Sequence, residues 1–89
     1  MVDLKKFIKA NDLQFTDGRR NQDTLTFVGY ALFKKCSKKS MEEALEAEFK
    51  KSSRTKEEFQ RLYQYAKDNN YGEWWKGIEV IDEKIITAD

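Results

Sequence analysis

The chain has 89 residues, of which 39% are hydrophobic and 37% are charged, with a formal net charge of +1. This length allows one domain with a small packed core. The chain has no histidine and one cysteine, which excludes imidazole bases, Ser-His-Asp triads, histidine metal sites, internal disulfides and zinc clusters. No stretch has the pattern of a membrane span or a signal peptide, so we expect a soluble, cytoplasmic protein. The residue types also lead us to expect no bound metal or cofactor.

The charge is unevenly distributed along the chain. Residues 1–40 hold nine lysines and arginines against four aspartates, whereas residues 41–89 hold eight basic and twelve acidic residues. A basic half joined to an acidic half is typical of a domain with two different faces or partners. An ordinary solvated surface explains the same counts equally well.

The first predicted helix covers residues 3–11. Leu4, Phe7 and Ile8 fall on one face of this segment at helical spacing. Asp3 is suited to cap the helix, because its carboxylate can accept a backbone N–H and lies at the positive end of the helix dipole.

A turn at Asp17-Gly18 is predicted to precede the second helix. We expect this helix to begin near Asn21 or Asp23, both favourable N-cap residues. The segment that follows is the most hydrophobic of the chain and is predicted to form the central helix. Gly29 within it costs about 0.5–1 kcal/mol relative to alanine, which close packing against a neighbouring backbone would offset.

Two later segments carry the capping-box pattern, Ser40-Met41-Glu42-Glu43 and Thr55-Lys56-Glu57-Glu58. In this box the hydroxyl and the carboxylate each accept a backbone N–H at the start of a helix. Apolar residues at helical spacing follow each box, so the pattern predicts a third and a fourth helix. The fourth is expected to end at Asn69 or Asn70.

The composition changes after Gly72. Branched residues within 78–87 flank Asp82-Glu83, which predicts a hairpin or an extended arm, with a short helix as the competing interpretation. An isolated hairpin is marginally stable in water, so this segment must pack on the helices or on another protein. We therefore predict a mainly α fold, a compact bundle of about four helices in one domain over residues 1–89, with residues 71–89 as a C-terminal β-hairpin or extended arm.

Few side chains suit catalysis. The paired glutamates follow predicted helix starts, where they complement the dipole, and they lack metal-ligand spacing. Cys36 has no histidine that could activate its thiol, and no P-loop or dinucleotide fingerprint occurs. We therefore predict that the chain is not an enzyme.

Two arginines, Arg19 and Arg20, lie directly before the central helix. Guanidinium groups beside the unpaired backbone N–H groups of a helix start suit a phosphate. The alternative is an ordinary turn whose arginines pair with Asp12 or Asp17. Phosphate binding at this corner requires guanidinium groups that internal carboxylates do not already hold.

Three short motifs occur in a characteristic order. They are Gly18, Arg20 and Asn21 at the start of the central helix, residues 40–44 at the start of the next helix, and residues 54–59 at the start of the last. In this order they resemble the PriCT domain, the helical C-terminal domain of primases encoded by plasmids, phages and other mobile elements. The resemblance covers roughly residues 16–67. Residues 50–53 depart from the pattern, because such domains often carry a proline before the last helix.

The chain also resembles the accessory middle-protein family of staphylococcal cassette chromosome replication operons. Members of that family partner an A-family DNA polymerase and enable it to start primers. The resemblance implies a non-catalytic subunit that binds single-stranded template and docks on a DNA polymerase, with the initiating nucleotide as a further candidate ligand.

In that setting the basic half of the chain gains a role, because lysines and arginines attract phosphates in a salt-sensitive way. The lysines could equally be a solvated helix end. One tryptophan is expected to complete the core and the other to anchor a partner, and exposed rings, Tyr30 included, could stack on bases. The predicted nucleic-acid-binding residues are Arg19, Arg20, Asn21, Lys34, Lys35, Lys38 and Lys39, and the predicted partner-binding residues are Tyr71, Trp74 and Trp75.

Two other functional classes stay open. The charge division and the lack of catalytic residues also fit a small phage or mobile-element inhibitor that blocks a host protein with its acidic face and tryptophans. A duplex-binding helix-turn-helix regulator fits less well, because the third helix, predicted from Glu42 to Lys51, carries too many acids to approach phosphates closely.

Overall fold

The structure is a computed structural model that describes residues 2–86. The predicted domain over 1–89 and the predicted arm over 71–89 therefore extend beyond the described residues at positions 1 and 87–89. Within the described part, helices account for most of the chain and one two-stranded antiparallel sheet follows them, which confirms the predicted mainly α fold with a C-terminal hairpin. The elements are α1 (Leu4–Ala10), α2 (Arg20–Phe33), α3 (Lys38–Ala44), α4 (Glu46–Lys51), α5 (Ser53–Asp68), a 3₁₀ helix (Tyr71–Gly77), β1 (Glu79–Ile81) and β2 (Lys84–Ile86).

Helix α2 is the central element, as its hydrophobicity predicts, because Phe27, Val28 and Ala31 on it are completely buried. Helix α5 packs along α2 in the same direction. At their beginnings the Arg20 guanidinium of α2 bonds Thr55 of α5, and at their ends the two helices line a common depression with the 3₁₀ helix. The two helix N-termini therefore lie together at one end of the molecule and the two C-termini at the other.

Gly29 of α2 allows the 3₁₀ helix to pack closely on it. A Cβ at this position would lie 2.9 Å from Nε1 of Trp75, so a side chain here would displace the indole. The predicted close approach is therefore present, but the nearest neighbour is the Trp75 side chain rather than a backbone. Trp75 is buried and meets the rings of Phe7 and Tyr30 edge-on, at centroid distances of 5.9 and 5.2 Å.

The cap at Asp3 is confirmed, since its carboxylate accepts the N–H of Lys6 at the start of α1. The two predicted capping boxes are wrong. Helix α3 is capped by Ser37 and helix α5 by Ser52, whose hydroxyls accept the N–H groups of Ser40 and Arg54. Each serine lies three residues before the predicted cap and has an extended backbone, so the helix already begins there.

Two other helix boundaries differ from the prediction. Helix α2 begins at Arg20, and the Asp23 side chain, instead of capping it, accepts hydrogen bonds from the loop before the helix. The third predicted helix is interrupted at Leu45, where α3 ends and α4 begins. The predicted end of the last long helix is confirmed, because α5 ends at Asp68 and Asn70 adopts a left-handed backbone.

The C-terminal segment is a hairpin. Asp82 and Glu83 both have positive φ angles, 54° and 65°, and form the two-residue turn that the sequence predicts. Val80 faces Ile85 across the strands, and both pack against the core. The outward-facing positions of the two strands include Ile81, which is 55% exposed.

The hairpin turn is clamped to the first two helices. The Asn11 side chain donates to the Glu83 carbonyl and accepts the N–H of Ile85, both at 2.8 Å. The Glu83 carboxylate accepts the Asp3 N–H at 2.8 Å and the Tyr30 hydroxyl. These bonds explain why a three-residue strand pair is ordered: it packs on the helices rather than standing alone.

Within residues 2–86, no helix has the length and apolar content that a membrane crossing needs.

Candidate nucleic-acid interface

Arg19, Arg20 and Asn21 form a group that we call the arginine corner. It lies where α2 and α5 begin side by side. Arg20 donates from Nη1 to the Asp17 carboxylate at 2.8 Å and from Nε to the Thr55 hydroxyl at 3.2 Å. Asn21 donates to Glu58 at 3.2 Å. The Arg20 guanidinium lowers the pKa of the Asp17 carboxyl below its usual value. Arg20 and Asn21 thus join the starts of the two helices.

Arg19 is also held by internal groups. Its guanidinium donates to the Asp12 carbonyl at 3.0 Å and lies 3.5 Å from the Asp23 carboxylate. With Arg20 bound to Asp17, neither arginine presents an unoccupied guanidinium group to a phosphate. Phosphate binding at this corner requires guanidinium groups that internal carboxylates do not hold, and this arrangement does not provide them. The observed pairing of Arg20 with Asp17 agrees with the alternative interpretation, an ordinary turn.

The Glu58 carboxylate makes this corner sensitive to acid. The bonds from Arg61 and Asn21 hold the pKa of Glu58 below its ordinary value near 4.5. A depressed carboxyl pKa contributes stability that is complete above the unfolded pKa and is lost as the pH falls through the folded one. We expect Glu58→Gln to cost less than about 1 kcal/mol at pH 7 and to flatten the fall in unfolding free energy below about pH 4.5.

Urea unfolding at a series of pH values between 7 and 3 measures this effect. Glu57→Gln is the matched control, because Glu57 is exposed and forms no ion pair within residues 2–86. Parallel pH profiles for wild type and Glu58→Gln would contradict the assignment.

The predicted basic residues fall into two separate groups. The arginine corner is at the start of α2, whereas Lys34 and Lys35 directly follow its last residue, about 21 Å away at 1.5 Å per residue. Most of the intervening helix is buried, including residues 27–31. The structure therefore brings the four predicted lysines together but does not join them to Arg19, Arg20 and Asn21 in one continuous strip.

The lysines form a surface without internal ion pairs. Lys34 and Lys35 directly follow α2, Lys38 and Lys39 begin α3, and all four are exposed. Lys67, near the end of α5, joins them. Within residues 2–86, none of the five ammonium groups lies within ion-pairing distance of a carboxylate. We call this group of Lys34, Lys35, Lys38, Lys39 and Lys67 the lysine surface.

Two lysines of the lysine surface lie over the Tyr63 ring. The ring centroid is 5.0 Å from the Lys38 ammonium and 5.8 Å from that of Lys67. The Lys34 ammonium lies 6.0 Å from the Phe33 ring. Cation–π contacts of this kind hold lysines near the surface while their charge stays accessible to a polyanion. The result is a positive surface with aromatic rings among the cations.

Sequence reasoning missed Tyr63 and Lys67 as members of this surface. Their i, i+4 spacing places them on one face of α5, but nothing in the sequence shows that this face lies beside Lys38. That contact depends on where the first residue of α3 lies relative to α5.

The two tryptophans differ sharply in exposure. Trp74 is 68% exposed and stacks on the Tyr71 ring at 4.8 Å with an interplanar angle of 16°. Trp75 is 7% exposed and belongs to the core, so its assignment as a partner-binding residue is wrong. Tyr30 is 1% exposed, because its ring stacks on Phe7 at 4.0 Å, so a base cannot reach it.

The outer face of the hairpin forms a second exposed apolar region. Ile81 and Ile86 on this face are 55% and 37% exposed. Ile78, which is 41% exposed, directly precedes β1, so strand alternation places it on the side of Val80. Glu79 and Lys84 lie beside Ile81 and Ile86 on the strands. This face carries one acidic and one basic side chain beside its isoleucines, and with Trp74 it is one of the exposed apolar parts of residues 71–86.

Cys36 does not gain a nucleophilic role from the structure. It is partly buried, and burial raises the pKa of its thiol above the ordinary value, so the reactive thiolate is scarce at neutral pH. Among residues 2–86, no three acidic or cysteine side chains converge as metal ligands would.

Comparisons with known proteins give no identification. No family model matches the chain, and no curated protein and no solved structure is significantly similar to it. The resemblance to PriCT domains and to the middle-protein family therefore stays a prediction from the motifs.

Proposed function

We propose that this chain is a non-catalytic accessory subunit for DNA replication priming that binds single-stranded template at the lysine surface and docks on a DNA polymerase. The observation that carries the DNA-binding part is the set of five exposed lysines that form no ion pair within residues 2–86, two of which, Lys38 and Lys67, lie over the Tyr63 ring. The priming role and the A-family polymerase rest on the motif resemblance. The initiating nucleotide is a further candidate ligand.

The lysine surface supports attraction to phosphates that does not depend on base sequence. Lysines without internal carboxylate partners can exchange counterions for phosphates, and the release of those counterions drives binding. A template strand held there would be positioned for the polymerase, which would supply the metal ions and the phosphoryl-transfer chemistry. Positioning alone can lower a barrier without any chemical group from the accessory chain.

The exposed isoleucines of the hairpin support docking on the polymerase. Ile81 and Ile86 are exposed on the outer face of the hairpin, which contains none of the five residues of the lysine surface, so one molecule could hold template and partner together. The same exposed face supports the alternative function, a phage or mobile-element inhibitor acting by protein–protein binding. The two functions differ in whether the chain binds single-stranded DNA.

Fluorescence anisotropy with a labelled oligo(dT) tests the proposal. We expect wild type to bind at low salt, with an affinity that falls steeply as salt rises. Neutralising Lys34, Lys35, Lys38 and Lys39 together with glutamine should weaken binding about tenfold or more. The slope of log affinity against log salt should fall by about 3, since each phosphate that is neutralised in a single strand adds roughly 0.7 to it.

The matched control neutralises four exposed lysines elsewhere. Lys9, Lys50, Lys56 and Lys84 changed to glutamine give the same net charge change, and this variant should keep most of the affinity. Equal losses of affinity in the two variants would contradict a localised surface. Absence of binding by wild type at low salt would overturn the proposal and leave the inhibitor as the better interpretation.

A further inference from the structure

The chain exposes a cluster of three aromatic rings, Tyr65, Tyr71 and Trp74. Tyr71 is the middle ring, with Trp74 stacked nearly parallel on it at 4.8 Å and Tyr65 meeting it edge-on at 5.4 Å. Tyr65 is 47% exposed and Trp74 is 68% exposed. One face of the indole is therefore supported by Tyr71 while much of the ring remains in contact with solvent. We call these three residues the aromatic cluster.

This geometry suits a flat ligand. An aromatic ring that the protein already supports on one face can accept a nucleobase on the other, and such stacking tolerates any base sequence. Tyrosine and tryptophan also keep a polar edge in water, which explains how three such rings can remain at the surface of a small domain.

The aromatic cluster lies next to the lysine surface. Gly72 sits between Tyr71 and the rest of the 3₁₀ helix, and a Cβ on it would lie 3.1 Å from the backbone nitrogen of Phe33. The next residue after Phe33 is Lys34. Gly72 and Lys67 also line one depression between the ends of α2 and α5. The two surfaces therefore meet where Gly72 packs on Phe33.

We infer that the aromatic cluster is a base-stacking platform, on which Trp74 stacks a nucleobase of the same single strand whose phosphates the lysine surface holds. The inference rests on the proposed DNA binding and adds a recognition element to it. Charge favours a nucleic acid over a protein as the occupant, because Lys67, in the depression beside Gly72, forms no ion pair within residues 2–86, while the Glu73 carboxylate in the same depression is neutralised by Lys76 at 2.8 Å. A protein partner is better suited to the exposed isoleucines of the hairpin, which are more apolar than the aromatic cluster.

Two measurements on the whole chain test the platform. The first is tryptophan fluorescence during titration with oligo(dT): the chain has two tryptophans, and we expect quenching in wild type that disappears in Trp74→Phe, where buried Trp75 alone emits. The second is oligonucleotide affinity, which Trp74→Ala should reduce by roughly 5- to 140-fold, the decrease that corresponds to one stacked base.

An abasic oligonucleotide of equal length separates stacking from phosphate binding. Wild type should bind it more weakly than oligo(dT), and Trp74→Ala should cause no further decrease, because no base is present. Trp74→Phe keeps a ring and should retain most of the affinity for oligo(dT). The control is Ile81→Ala, which removes a comparably exposed apolar side chain from the hairpin and should leave both measurements unchanged.

The outcomes distinguish this inference from the proposed function. Binding of oligo(dT) that depends on the lysines, with no quenching and no effect of Trp74→Ala, would overturn the platform while leaving DNA binding intact; the aromatic cluster would then be a surface for protein. No binding of any oligonucleotide by wild type would overturn both.

Discussion

Replacing Trp75 with alanine should lower the free energy of unfolding by about 3–5 kcal/mol, the usual cost of removing a large buried aromatic side chain. Trp75 meets Phe7 and Tyr30 edge-on, and its indole nitrogen lies against Gly29. Its removal would leave a cavity between the 3₁₀ helix and α2 that these rigid neighbours cannot close. Urea unfolding followed by far-UV circular dichroism measures the decrease.

The adjacent residue is the control for this prediction. Trp74→Ala removes a side chain of the same size that is 68% exposed, so its cost should be less than about 1 kcal/mol. Similar destabilisation by the two substitutions would contradict the placement of Trp75 in the core and Trp74 at the surface.

Replacing Asp23 with alanine should cost about 3 kcal/mol or more. The buried carboxylate accepts the backbone N–H groups of Gln14 and Phe15 at 2.7 and 3.0 Å and lies 3.5 Å from the Arg19 guanidinium. Alanine would leave both backbone donors without their acceptor, which is expensive beside a buried site. Arg19 would lose its counter-charge at little cost, because its side chain is 48% exposed. Urea unfolding gives the free energy.

Amide hydrogen exchange locates the effect. The N–H groups of Gln14 and Phe15 should lose protection first in Asp23→Ala, because their own hydrogen bonds are removed. Asp23→Asn keeps an acceptor oxygen and should be less destabilising than alanine. If the alanine and asparagine variants were equally stable, the two backbone bonds would not account for the role of Asp23.

The sequence predicted the elements that local chemistry determines. The Asp3 cap, the hydrophobic central helix and the turn at Asp82-Glu83 each depend on residues within a few positions of one another. A small helical domain needs large apolar residues, so one tryptophan was expected in the core, but neighbours in the sequence could not show which one. That distinction depends on Gly29, whose missing side chain admits Trp75.

Helix starts were harder to predict, because several hydroxyl groups compete for the cap. Thr55 fits the capping box by spacing, yet it is buried and its hydroxyl accepts a bond from Arg20, a partner 35 positions away. Ser52 takes the cap instead. A pattern of four residues contains no information about a neighbour on another helix.

The candidate site was predicted only in part, for the same reason. The four lysines at the junction of α2 and α3 are adjacent in sequence and could be grouped from it. The pairing of Arg20 with Asp17 was one of two alternatives that the residues allowed, and the structure selects it. The contribution of Tyr63 and Lys67 depends on the position of Lys38, at the start of α3, beside α5.

The clamp between the hairpin and the first helix bears on the order in which the fold assembles. The bond between Asp3 and Glu83 spans 80 positions, and bringing such distant segments together costs chain entropy before any contact forms. Contacts of long sequence separation generally slow folding. Helices α2 and α5 can therefore associate early, whereas docking of the hairpin turn onto α1 is expected to be a late event in folding.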